Sequence, residues 1–327
     1  MVVVAVLAVT RRQALAYRFA AQRLTVRLPK REYVNAARFG LQDSAPRDAL
    51  VALHARVEAC EPEAWQAPGL IQTYSPRAAV FVLPEQDFGV FTIGRLPFDQ
   101  DQRAALEADA EQICRDLAGT ERRGGLNGLR SACWTGRIAL RWTTSALYAR
   151  EVERPEIDEA DARAELCRRH LTGFGPTTPA AYAWWSGMSP GDARRVWRQL
   201  KPELVEVDLD GHRAWILAGD EPDLRRPPDP PPARFLAAPD LRLLGQDRTG
   251  LFCGPGQRRW TDLHDTFHPN GLLVGDELVG AWGRRGGRIV VRVAGPLPEP
   301  VRADVEAEAL AMPIPGATMS ISYTEVP

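Results

Sequence analysis

Apolar and polar residues alternate in three stretches of the first two thirds of the chain. The alternation predicts β-hairpins over residues 70–83, 137–148 and 204–217. Ser75-Pro76 marks the first turn, and Asp210-Gly211 is a strong two-residue turn signal in the third. Ile71, Ile138 and Val205 stand 67 residues apart each time, which points to a repeated supersecondary unit.

Helical periodicity precedes the hairpins. In the first unit Thr10 N-caps a helix through Gln13, Tyr17 and Ala20. A second helix is expected from Lys30 to Phe39, stopped by Gly40. A third follows Ser44 as cap, with Pro46 in its first turn. In the third unit an amphipathic run follows Pro155. Pro179 then opens a helix that Gly187 ends, and Ser189-Pro190 opens another to Leu200. Glycines 124, 125 and 128 interrupt the helical pattern of the middle unit. Three helices followed by a hairpin is the winged-helix arrangement, whose last helix reads a groove. The Pro-rich segment within residues 223–232 reads as a linker. Beyond it, short strands and one helix over residues 298–311 suggest a small barrel or sandwich acting as a platform. The expected class is α+β: three tandem winged-helix units (1–95, 96–153, 154–222), a linker, and a C-terminal β-barrel-like domain (233–327).

Composition narrows the classes. With 45% hydrophobic and 25% charged residues in 327, the chain is globular and long enough for about two domains or more. The longest apolar run, residues 2–9, is too short to span a bilayer, and no cleavage pattern follows it. Five scattered cysteines without a CxxC pair read as reduced thiols in a cytoplasmic protein. A net charge of −1 excludes a uniformly basic coat. Charge is nonetheless patchy. Residues 11–38 hold eight bases and one acid, and residues 121–150 six arginines and one acid. Such blocks either contact a polyanion or find partners within the fold. Only Lys30 and Lys201 among 41 bases are lysine, a bias that a GC-rich genome accounts for; it leaves two candidates for amine chemistry.

Familiar active-site motifs are missing: no GxGxxG, Walker loop, GxSxG or HExxH. His264 and His268 are four apart, but Pro269 follows at once and no third ligand presents itself, so no metal or cofactor is expected. Trp184, Trp185, Trp197 and Trp215 read most simply as core. One candidate remains, Gly40-Leu-Gln-Asp-Ser-Ala-Pro46. Its Gln42 and Asp43 are either caps of the following helix or an amide–carboxylate pair that orients water.

Several segments together resemble the AlkZ-like DNA glycosylases, a bacterial family of winged-helix DNA-binding-domain proteins. They are Thr10–Arg18, Gly40–Asp43, Tyr74–Ala79, Gly173–Pro179, Trp185–Gly187, Val205–Trp215 and Leu273–Trp282, in order along nearly the whole chain. The resemblance implies three winged helices on a β-barrel. It also implies a monofunctional glycosylase that removes alkylated purines, in some members unhooking interstrand crosslinks or conferring resistance to a producer's own toxin. Active members carry Gln-x-Gln or Gln-x-Asp. Gln42 matches the first position, whereas the third is Ser44, and Phe81 stands where many relatives have histidine. On this reading Gln42, Asp43 and Ser44 are catalytic. Arg11, Arg12, Arg47, Arg77, Arg194 and Arg195 contact the phosphates of double-stranded DNA, with the protein a monomer. The rival readings are a non-catalytic DNA binder, either lesion sensor or transcription regulator, and a protein-interaction scaffold.

Overall fold

A computed structural model describes residues 6–44, 47–143, 145–245 and 270–325. Cys253, His264 and His268 lie outside the described residues.

The first unit begins with β1 (Leu7–Val9) and α1 (Arg11–Ala21). Thr10 caps α1 as expected, in a reciprocal box with Gln13. The second helix is much shorter than its pattern, α2 (Tyr33–Ala36), and β2 (Leu41–Gln42) follows. The third, α3 (Asp48–Arg56), starts at Asp48 rather than directly after Ser44. The hairpin is β3 (Leu70–Tyr74) with β4 (Val80–Pro84). The middle unit contains α4 (Phe88–Thr92), α5 (Gln100–Leu117), β5 (Arg122–Arg123), α6 (Leu129–Ala132) and the hairpin β6 (Ile138–Trp142) with β7 (Leu147–Glu151). The third unit is α7 (Glu159–Phe174), α8 (Pro179–Ser186), α9 (Pro190–Leu200) and the hairpin β8 (Leu204–Leu209) with β9 (His212–Leu217). Thr178 and Ser189 cap α8 and α9, and Gly187 closes α8 in the left-handed conformation.

The repeat therefore appears as three helices before each hairpin, but the hairpins do not stand alone. The first two share one six-stranded sheet, ordered β2-β4-β3-β6-β7-β5, joined where Gln72 pairs with Leu140. The third pairs instead with β1, which runs parallel to β8.

After α10 (Glu221–Arg225) come β10 (Ala233–Leu236), α11 (Ala238–Leu244), β11 (Asn270–Val274), β12 (Glu277–Arg285), β13 (Arg288–Val293), α12 (Glu299–Leu310) and β14 (Ser320–Glu325). The expected barrel is corrected. Among the described residues these strands form an open sheet in sequence order, and no sheet closes. The crossover through α12 sets β14 parallel to β13 at one edge. Val305 and Ala309 of α12 cover Phe235, Trp282 and Val291, so the apolar face is buried by a helix and need not curl on itself.

Buried arginines fasten this sheet to the first unit. Arg56 of α3 forms a two-pronged pair with Asp240 of α11, at 2.7 and 3.1 Å. Arg18 donates to the carbonyls of Leu244 and Pro176, and Arg234 donates to that of Leu24 at 2.9 Å. Arg27 pairs with Glu308, against which buried His54 also sits. Apolar residues of α1, α11, β8, β9 and β11 fill the space between.

Asp240→Ala strands a buried guanidinium and is expected to lower stability by about 3–5 kcal/mol in urea unfolding. The double variant Arg56→Met, Asp240→Leu should recover most of that loss. A single variant as stable as wild type would remove this pair from the account of how the C-terminal sheet is held.

Candidate functional site

The segment 40–44 enters the six-stranded sheet as its edge. Gly40 takes φ +78, and a Cβ there would meet Phe81 Cδ1 at 2.9 Å, so glycine is required for both conformation and space. Leu41 and Gln42 pair with Val82 and Phe81, and the Asp43 amide donates to the Val80 carbonyl at 2.8 Å. Phe81 is wholly buried.

The three motif residues part company at this edge. Asp43 is 0% exposed. Its Oδ1 accepts from the Arg47 and Ala49 amides, both at 3.0 Å, and so caps α3 from outside the helix. Its Oδ2 lies 3.4 Å from Gln72 Nε2 and 3.6 Å from Arg47 Nη1. Gln72 also accepts from the Trp142 amide at 2.6 Å, while Arg47 donates to the Trp142 carbonyl at 3.0 Å. One carboxylate thus joins β2, α3, β3 and β6. Burial pushes its carboxyl above the usual carboxylate range; the Ala49 amide and the Arg47 charge pull it back down.

Gln42 is partly exposed and Ser44 exposed. The Gln42 amide donates to the Ser44 hydroxyl, which leaves its Oε1 buried without a hydrogen-bond partner. A buried amide oxygen without a partner, behind an exposed hydroxyl, is an acceptor the fold itself leaves unsatisfied.

The expected DNA-contacting arginines fall into separate groups. Arg11 donates its amide to Asp210, and Arg12 lies 3.6 Å from Asp276. Arg47 is bound to Asp43 and stacks 3.6 Å over Trp65. Arg195 stacks over Phe98 at 4.2 Å. Arg77 and Arg194 each approach Trp184, Arg77 over its ring and Arg194 in the cavity beside it. Arg77 sits at the tip of the β3–β4 hairpin, beyond the Val80 that pairs with Asp43. Its guanidinium lies 3.8 Å over the Trp184 ring. Arg242 of α11 approaches the same ring at 6.0 Å. Burial, and then the charge of Arg242, pushes Arg77 down to about 10, still charged at neutral pH. Among the described residues neither Arg77, Arg194 nor Arg242 has an ion-pair partner. A shallow cavity of about 500 Å³ opens beside Trp184, lined by Pro179, Ala180, Ala183, Met188 and Arg194.

Sequence reasoning missed Trp184, Gln72, Arg95 and Arg242. The sequence pattern places Trp184 in the core with Trp185. Adjacent helical residues point about 100° apart, so one of two neighbouring tryptophans tends toward the edge of the buried face, and that is the available signal. Trp185 is buried and Trp184 partly open. Arg95 is buried and pushed down to about 9 by that burial. It stacks on Trp134 and donates to the Gly187 carbonyl at 2.9 Å. It thereby braces the turn whose Ser186 carbonyl accepts from the Arg77 amide. No helix among the described residues is long and apolar enough to cross a membrane.

A family model described as DNA glycosylase AlkZ-like matches residues 122–312, more than half of the chain. Among solved structures, a Streptomyces sahachiroi DNA glycosylase AlkZ is similar, with a TM-score of 0.79 at 16% sequence identity over 98% of this chain and 100% of that one. At that identity the likeness speaks for the fold alone. No curated protein matches the chain.

Because folding raises the Asp43 pKa, the folded state holds that proton more tightly than the unfolded chain does. Ionised Asp43 therefore costs stability, and the cost grows as pH rises from the ordinary value near 3.8 through the raised one. Asp43→Asn keeps an acceptor for the cap and removes the cost, so its stability relative to wild type should improve as pH rises through that window. Asp43→Ala loses the cap and should cost about 1–2 kcal/mol at neutral pH. Denaturant melts at several pH values check both.

Proposed function

The chain belongs to the AlkZ-like DNA glycosylase family, and on that premise we propose that it hydrolyses the N-glycosidic bond of bulky alkylated purines in double-stranded DNA, interstrand crosslinks or toxin adducts included. A role in self-resistance of a toxin producer follows if the adduct is its own product. The observation that carries the reading is the Gln42 amide, held at a sheet edge with its oxygen unpaired, next to a hairpin whose tip presents Arg77. The repeat of three helices and a hairpin supports three winged-helix units over residues 1–95, 96–153 and 154–222, with residues 223–232 linking them to the C-terminal platform.

The chemistry needs little acid. A purine alkylated at N7 or N3 is cationic and departs with the electron pair of its bond to C1′. The sugar develops oxocarbenium character, and a water oxygen bonds to C1′ while its proton leaves to solvent. Gln42 and Ser44 place that water. Asp43, sealed behind them, is a positioning residue: it fixes the edge strand on α3 and adds negative charge behind the developing cation. Arg77, Arg194 and Arg242 hold phosphates, joined by Arg195, Arg11 and Arg12 along the duplex; Arg47 serves the site through Asp43 and Trp65.

A second reading, a lesion-binding protein without catalysis, is favoured by one observation. Both oxygens of Asp43 are already engaged, and Ser44 and Phe81 replace groups found in active relatives.

Release of N7-methylguanine from methylated duplex separates the two. The glycosylase reading expects release by wild type and a loss of about 100-fold in Gln42→Ala. Equal release by the two proteins would sink the assignment of Gln42. Salt-dependent binding without any release would favour the binder. In binding titrations log Kd should rise with log salt, and Arg77→Ala or Arg242→Ala should each flatten that slope by about 1. A slope of zero would leave only the scaffold reading.

A further inference from the structure

Beyond the bond-cutting site lies the cavity between α8 and α9, which water placement by Gln42 does not use. Its walls are apolar, from Pro179, Ala180, Ala183 and Met188, with the Trp184 ring as the one aromatic surface and Arg194 at the rim. Arg77 stacks on that ring and Arg242 stands near it. Arg77 keeps Nη1 buried without a partner. Flat aromatic surface surrounded by uncompensated cations fits a ligand that is planar, largely apolar and attached to an anion. A nucleobase with its flanking phosphate has those properties, and an apolar peptide segment does not answer the charge.

We propose that this cavity is a subsite for one unstacked nucleotide of the DNA, separate from the nucleotide whose bond is cut. Its base lies against Trp184, and its phosphate is held by Arg194 with Arg77 and Arg242. The subsite rests on the reading that the protein binds DNA. It adds that the third helical unit captures a base that has left the stack. Stacking on an aromatic side chain strengthens binding of an unpaired base whatever its identity, so the subsite should show little sequence preference.

Fluorescence anisotropy on unmodified DNA tests it. One duplex carries a single unpaired adenine, and the other is the same duplex fully paired. Wild type should bind the bulged duplex about fivefold or more tightly than the paired one, the lower end of what one stacked base contributes. Ala180→Trp, on the exposed side of α8, fills the cavity and should bring the ratio of the two affinities to about one. Ala180→Ser leaves the cavity open and should keep the wild-type ratio. Trp184→Ala should also lose the preference, and if that variant does not fold, the Ala180 pair decides alone. Equal binding of the two duplexes by wild type would overturn the subsite, as would a preference that survives in Ala180→Trp. If neither duplex binds in a salt-dependent way, the DNA-binding reading itself falls and takes the subsite with it.

Discussion

A buried carboxylate must be satisfied on every side, and Asp43 shows what that demand builds. Water cannot reach it, so its oxygens take two amides at the start of α3, the Gln72 amide and the Arg47 guanidinium. The partners belong to the start of α3 and to β3. Together they set the angle at which the edge strand meets the helix, and with it the direction in which Gln42 and Ser44 are presented. The same contacts oppose the desolvation cost that pushes the Asp43 carboxyl upward. The candidate edge is thus a by-product of a structural solution: one residue of the triplet turns inward to hold the sheet, while Gln42 stays partly and Ser44 fully exposed.

Arginine serves the molecule in two opposite ways. Part of the basic block over residues 11–38 is tied up by partners within the fold. Arg18 binds carbonyls of the third and C-terminal units, Arg27 meets Glu308, and Lys30 and Arg31 share Glu61. In the second block Arg137 and Arg141 pair with Glu151 and Glu121. Among the described residues, three cations without an acid partner that lie near Trp184 come from three different units and from neither block: Arg77 of the first hairpin, Arg194 of α9 and Arg242 of α11. A planar guanidinium that stays charged when buried suits both tasks.

Much of the architecture was legible beforehand because it rests on local rules. Thr10 caps α1, Pro179 and Ser189-Pro190 open α8 and α9, Gly187 ends α8, and Asp210-Gly211 turns the third hairpin. The 67-residue period marked the three hairpins. Other features were not legible. The helix expected over residues 30–39 shrank to four residues, and the capping of α3 came from Asp43, not Ser44. The C-terminal strands announced themselves, but their open arrangement depended on a parallel edge strand delivered by α12. Periodicity does not encode which strand lies beside which.

The residues of the candidate site divide along the same line. Gln42, Asp43 and Ser44 could be singled out because an amide, a carboxylate and a hydroxyl adjoin between helical segments. The sealing of Asp43 against Gln72, and the meeting of Arg77 with Trp184 and Arg242, are decided by contacts between different elements of the fold. Hydrogen-bond capping and turn formation act over a few residues and leave their mark in neighbouring letters. Desolvation and charge pairing act through space, so only the folded chain settles which carboxylate is sealed and which arginine is left without a partner.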